Sequence, residues 1–314
     1  MAGGEKAKSS GEYGERIVEK LLNYIGWEHL DSGVTVPCIH EEKHSIGDKT
    51  SKKHGIDYVY QYKSCLRDFT RQDILVSVKC REGYPKKEET IRKVFKEFYE
   101  DLVFAGECYP ASEVYKRRIA QTKKRITSGV IFWIDRSRED GREYESIIDQ
   151  VAMVRLQENN IFDAITVVDN NRAQFLYEAL SFVRQRYGED NIEFFYIDTG
   201  LNNSNIEKKY SGKVMPVEYL SSDIIPLALT DANDNKFLLL IVKSEFEKDD
   251  LKRIIGLAQD LTRSWASKVV IAFPNYNEFE HKQLFMDAKR EFDDSKFTKN
   301  IDVLTYRPDF RDEV

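Results

Sequence analysis

The chain has 314 residues, 41% hydrophobic and 32% charged, a soluble globular composition sufficient for two domains or one large one. No run approaches the roughly 20 apolar residues of a membrane span, and Met1 to Ser10 lacks the apolar segment of a secretion signal. A net charge of −6 excludes a chain that is basic all over, yet leaves room for a local basic footprint on nucleic acid.

Four cysteines (Cys38, Cys65, Cys80, Cys108) are too few for a disulfide scaffold, and a reducing cytoplasm is the simplest setting. The small polar residues 1–10 read as a disordered tail. A first helix is predicted from about Gly11 to Tyr24, with Ile17, Val18, Leu21, Leu22 and Ile25 in one stripe and Gly26 as its stop. Val34 to Ile39 is a short strand, and His40 to Lys53 reads as a polar loop. Two apolar runs, 55–62 and 73–80, flank a turn-like stretch and predict a hairpin. A helix follows over 87–104, then a strand (129–135), a helix (142–157), a strand (163–168), a helix (173–187) and a strand (192–197). This order predicts an α/β domain over 11–199, a mixed sheet with helices on both faces.

Residues 200–213 are rich in Asn, Ser, Lys and Gly and read as a linker. Over 214–314, strand-like runs at 222–227 and 237–244 precede a helix (248–265), a strand (268–273), a helix (277–292) and a strand (301–306), a second, smaller α/β domain. Ile74-Leu-Val-Ser-Val-Lys-Cys80 resembles Leu238-Leu-Leu-Ile-Val-Lys-Ser244, and an aspartate stands about 20 residues before each lysine. A weak internal duplication and chance similarity between apolar strands both account for this.

Asp57 lies in the run Gly55-Ile-Asp-Tyr-Val-Tyr60 and Lys79 closes the run Ile74-Leu-Val-Ser-Val-Lys79. A hairpin would bring this carboxylate and ammonium together in an apolar sheet, where charges are costly unless paired or bound to metal. Period-2 geometry puts positions 77 and 79 on one face. On the first helix Glu15 adjoins the apolar stripe, which suits a metal site between helix and sheet as well as simple helix-dipole complementation. Asp57 satisfied by turn amides and Lys79 snorkelling from a strand end are the structural alternatives.

Gly14-Glu15, Gly55-Ile56-Asp57 and Val78-Lys79, in the order helix, hairpin, helix over residues 11–135, resemble the PD-(D/E)xK nuclease superfamily, the restriction-endonuclease-like fold. The resemblance implies Mg²⁺ or Mn²⁺ held by Glu15 and Asp57, with Glu15, Asp57 and Lys79 catalytic and nucleic acid, DNA or RNA, as substrate. The family places an acid or glutamine where this chain has Ser77. Asp223 and Lys243 mimic the pattern, but Ile241 replaces the strand acid and no glutamate-bearing helix is evident before them, so the second domain reads as a degenerate copy. Nucleases with such accessory domains resemble effectors of bacterial anti-phage defence that act with a partner protein, and a homo-oligomer is the other assembly expected. A subunit that binds nucleic acid without cutting it is the alternative function.

Candidate substrate contacts are His54, Ser77, Lys86, Lys87, Arg117, Lys123 and Lys124. The last three belong to a stretch of six cations, Lys116 to Arg125, that also reads as a solvated face. Gln72 and Asp73 are candidate supports of the site. Cys38, His40 and His44, with His54, Cys65 or Cys80 as a fourth ligand, have the types but not the spacing of a zinc pattern; Cys65 and Cys80 read as ordinary residues near strand ends. The chain has neither a GxxxxGK[ST] phosphate loop nor a serine-hydrolase elbow.

Overall fold

A computed structural model describes residues 2–46, 49–50, 52–137, 146–204, 208–231, 233–262 and 265–307. The chain divides into two compact units, Met1–Gln174 and Phe175–Val314. The first opens with helix α1 (Ala2–Tyr24), followed by β1 (Asp31–Pro37), a small hairpin of β2 (Ser45–Ile46) and β3 (Lys49–Thr50), and the long strands β4 (Lys53–Lys63) and β5 (Thr70–Arg81). Then come α2 (Glu88–Cys108), α3 (Glu113–Lys116), β6 (Lys124–Asp135), α4 (Ile148–Ala152) and β7 (Ile165–Val168). The sheet order is β1-β4-β5-β6-β7. β1 and β5 each run antiparallel to β4, while β6 is parallel to β5 and β7 to β6. This is the expected mixed sheet.

Each element follows from its residues. Val18, Leu21, Leu22 and Ile25 are buried along α1, and Gly26 takes φ +82° to end it. Ile17, expected in that stripe, is exposed, because it lies at the edge of a face the other four already fill. On α2, Ile91, Phe95, Phe98, Tyr99, Leu102 and Val103 recur every three or four residues and pack on Val59, Leu75, Ile131 and Trp133 of the sheet. Val130 to Trp133 are wholly buried, as suits a strand covered on both faces. Residues 2–10, expected as a disordered tail, continue α1; Ala, Glu and Lys among them are good helix formers. The helix expected over 142–157 is limited to Ile148–Ala152 among the described residues, and 142–145 lie outside them.

The second unit contains most of α5 (Asn170–Tyr187), then β8 (Ile192–Phe195), β9 (Ser211–Gly212), β10 (Ile224–Thr230), β11 (Lys236–Val242), α6 (Lys248–Thr262), β12 (Val269–Phe273), α7 (Glu278–Arg290), α8 (Ser295–Lys299) and β13 (Ile301–Thr305). Its sheet order is β13-β12-β11-β10-β8-β9. The expectation that the first domain runs to residue 199 is corrected here. β8 pairs antiparallel with β10, so its hydrogen bonds commit it to the second sheet. Residues 200–213, expected as a linker, fall inside the second unit, where β9 pairs with β8.

With that correction the two sheets show the same strand topology. β10 and β11 are antiparallel, β11 and β12 parallel, β12 and β13 parallel. This repeats β4-β5-β6-β7 in order and direction, with β8 in the place of β1 and α5 ahead of it in the place of α1. A helix bearing a glutamate, Glu178 on α5, therefore does precede the second Asp-Lys pair, contrary to expectation. Glu178 is engaged with Arg307 at 2.7 Å.

Candidate active-site cleft

Asp57 sits where the alternation of β4 breaks. Ile56 and Val59 both join the core beneath α2, although an unbroken strand would point residues three apart to opposite faces. Tyr58 and Tyr60 instead reach α1, donating their hydroxyls to the carbonyls of Glu15 (3.0 Å) and Gly26 (3.4 Å). The break falls at Asp57, whose Oδ2 accepts the backbone N–H of Val78 at 2.6 Å. Asp57, Ser77 and Lys79 line one cleft of about 290 Å³ with His54, Asp101 and Phe104. The expected meeting of the aspartate and the lysine across the hairpin is present.

The electrostatics are those of crowded acids. Burial pushes the Asp57 carboxyl above its ordinary range, against the Val78 hydrogen bond and the Lys79 charge, which both favour ionisation. Glu15 is raised by burial and then by repulsion from Asp57 and Glu12. Glu15 is half-buried on α1 and is not among the residues lining the cleft. It reaches Asp57 electrostatically from the α1 side. Its position depends on Gly14, where an added Cβ would stand 2.3 Å from Cys80 Cβ, so α1 approaches β5 as closely as a side-chain-free residue allows.

Asp101 was not anticipated. Its Oδ2 lies 3.4 Å from Lys79 Nζ, and the ammonium rests over the Phe98 ring at 5.1 Å from its centroid. The signal was present in α2, since Asp101 flanks the buried stripe between Phe98 and Ala105, three and four residues away on the same helix face. Asp57, raised by burial, and Glu15, raised by burial and by the Asp57 charge, are a fitting donor set for a hard divalent cation, which takes oxygen ligands and would offset that repulsion. Asp101 adds a third carboxylate to the surroundings.

The other expected contacts scatter. Ser77 is nearly buried on the cleft wall. Lys86 and Lys87 are exposed just past the end of β5 that carries Lys79. Lys123 and Lys124 lie at the opposite end. Lys124 pairs with Thr70, nine residues before Lys79, which is about 30 Å of strand. Arg117 donates to the carboxylate of Asp31 at 2.6 Å, and its carbonyl accepts from Arg71 in the same region. The basic stretch is therefore remote from Asp57. Gln72 donates to Ser128 (2.9 Å), and Asp73 forms a buried ion pair with Arg71, so neither supports the cleft. His54 borders the cleft, but its Nε2 is 3.2 Å from His44 Nδ1. Burial, then His44, lowers its pKa and favours the neutral ring, with Asp101 opposing.

No described helix is long and apolar enough to cross a membrane. Against known proteins, residues 1–172 match the family model of the GAPS4 protein PD-(D/E)XK nuclease domain, more than half of the chain. No curated protein and no solved structure matches it.

Proposed function

The chain belongs to the GAPS4 PD-(D/E)XK nuclease-domain family, and on that premise we propose that it is a metal-dependent nuclease hydrolysing phosphodiester bonds at the Asp57–Lys79 cleft. The observation that carries the reading is the convergence of Asp57, Lys79 and Asp101 on one cleft, with Glu15 on α1 feeling the Asp57 charge. Asp57 and Glu15 would hold the divalent cation, Mg²⁺ or Mn²⁺, which supplies Lewis acidity at the phosphoryl oxygens and lowers the pKa of a bound water. Lys79, steadied by Asp101 and Phe98, orients the attacking water and meets the charge that builds on the phosphate. Asp57 is fixed for its role by the Val78 N–H. Lys86 and Lys87, at the same strand end, contact the substrate backbone.

Cleavage of plasmid DNA and of RNA with Mg²⁺ or Mn²⁺, with and without EDTA, tests this. Wild type should cut only with metal, and Asp57→Ala and Lys79→Ala should each lose on the order of 100-fold or more. Equal activity in all three proteins removes the catalytic assignment. A second reading, binding without cleavage, is favoured by one observation: Ser77 stands where the family places an acid. Under that reading Ser77→Asp creates cleavage that wild type lacks. The likeness of such nucleases to anti-phage effectors extends the proposal to a cytoplasmic defence role with a partner protein or a second copy. The second unit, with Ile241 at the acid position, serves as a degenerate module for binding or assembly.

A further inference from the structure

Beside the cleft, four buried side chains converge from three separate parts of the first unit. Cys38 follows β1, His44 precedes β2, His54 is on β4, and Cys108 ends α2. Their ligand atoms all lie within 4.8 Å of one another. Cys38 Sγ is 3.9 Å from Cys108 Sγ. His44 Nδ1 is 3.4 Å from Cys38 Sγ, 3.5 Å from Cys108 Sγ and 3.2 Å from His54 Nε2. Tetrahedral zinc, with bonds of about 2.3 Å to sulfur and about 2.0–2.1 Å to nitrogen, requires separations of about 3.8 Å (S to S), about 3.6 Å (S to N) and about 3.3 Å (N to N). The four measured distances agree to within about 0.2 Å of those values. We propose that Cys38, His44, His54 and Cys108 form a structural zinc site.

The surroundings fit a metal centre. His44 Nε2, the nitrogen turned away from the cluster, is 2.7 Å from Glu107 Oε2, the carboxylate–histidine arrangement that fixes a ligand's tautomer. Glu107 is held in turn by Lys43 at 2.7 and 2.8 Å. Cys108 Sγ accepts the Ile39 backbone N–H at 3.4 Å, which suits a thiolate. The cysteines are unbonded to each other, and 3.9 Å is far from the roughly 2.05 Å of a disulfide. Two sulfurs and two imidazoles select zinc over the hard cations suited to the carboxylates next door. Four protein ligands close the coordination sphere, so the role is structural.

His54 lies three residues before Asp57 and Cys108 seven after Asp101. The zinc would thus tie β4 to the end of α2, the two elements that bring Asp57 and Asp101 to the cleft.

The test uses the full chain purified under reducing conditions, with zinc measured by elemental mass spectrometry. Wild type and Asp57→Ala should each hold about one zinc per chain, and Cys38→Ser and Cys108→Ser far less. X-ray absorption at the zinc edge of the wild type gives an answer independent of how those cysteine variants fold: two sulfurs at about 2.3 Å and two nitrogens at about 2.0 Å. A zinc-free wild type after reconstitution overturns the proposal. So does a coordination shell without sulfur, or a Cys38–Cys108 disulfide in reduced protein. Loss of the zinc in Asp57→Ala would place the ion in the cleft and also refute the site. The nuclease reading can fail without touching this result.

Discussion

Gly14→Ala tests the close approach that places Glu15. The added methyl would meet Cys80 Cβ at 2.3 Å, against an ordinary carbon–carbon contact of about 3.5–4.0 Å, so α1 must retreat by about 1 Å or the strand must give. Overpacking of this kind costs about 1–3 kcal/mol. Opposing it, alanine in a helix interior gains up to about 1 kcal/mol over glycine. Gly11→Ala supplies the control, because nothing lies within 4 Å of its added Cβ; it should stabilise by about 0.4–1 kcal/mol. The difference between the two variants isolates the clash at about 1–3 kcal/mol. Urea unfolding in a Trp265→Phe background reads the first unit through Trp27 and Trp133, the two remaining tryptophans, both buried there. A shifted midpoint at unchanged slope is the expected result. Equal stabilisation by the two alanines refutes the packing argument and, with it, the account of how Glu15 is positioned.

In chelator, Asp57→Asn should be more stable than wild type at pH 7. The folded-state pKa of Asp57 lies above its ordinary 3.8, so its charge penalises folding. That penalty is absent below the ordinary value, grows as the pH rises through the window up to the folded value, and stays constant above it. Melting curves at pH 7 and at low pH check this, and a gain equal at both would refute it. Asp73→Ala leaves the Arg71 guanidinium buried at 2% exposure without its carboxylate, and denaturation should register a loss of about 3–5 kcal/mol. The paired Arg71→Met, Asp73→Leu variant should recover most of it, and a single-variant loss below about 1 kcal/mol would show the pair to be unimportant. Lys86→Ala and Lys87→Ala should each flatten the logarithmic salt dependence of nucleic-acid binding by about 0.7–0.9, whereas Lys123→Ala and Lys124→Ala leave it unchanged. The reverse pattern would move the substrate track to the far end of the sheet.

Local periodicity made the helices and long strands legible. The Asp57–Lys79 hairpin was readable because its two strands are close in sequence, so one turn fixes the register. What stayed hidden depends on distant partners. Asp101 reads as an ordinary helix position and Cys108 lies beyond the predicted helix until α2 is laid on β4. The alternation of α and β carried the first domain past its true end, since nothing within Ile192–Phe195 says that β10 rather than β7 is the neighbouring strand. The cations near residue 120 show the same dependence: only the β5–β6 register, which pairs Lys124 with Thr70, places them at the far end of the ladder from Lys79.

Ile241 is completely enclosed, whereas Ser77, its counterpart two residues before the lysine, opens onto the cleft. The two positions differ in what a single substitution can supply. An acidic codon at position 77 would place its carboxylate beside solvent and Lys79, a change within reach of selection. The same codon at 241 would strand a charge in a fully enclosed position, so one mutation does not supply the second unit with a carboxylate there.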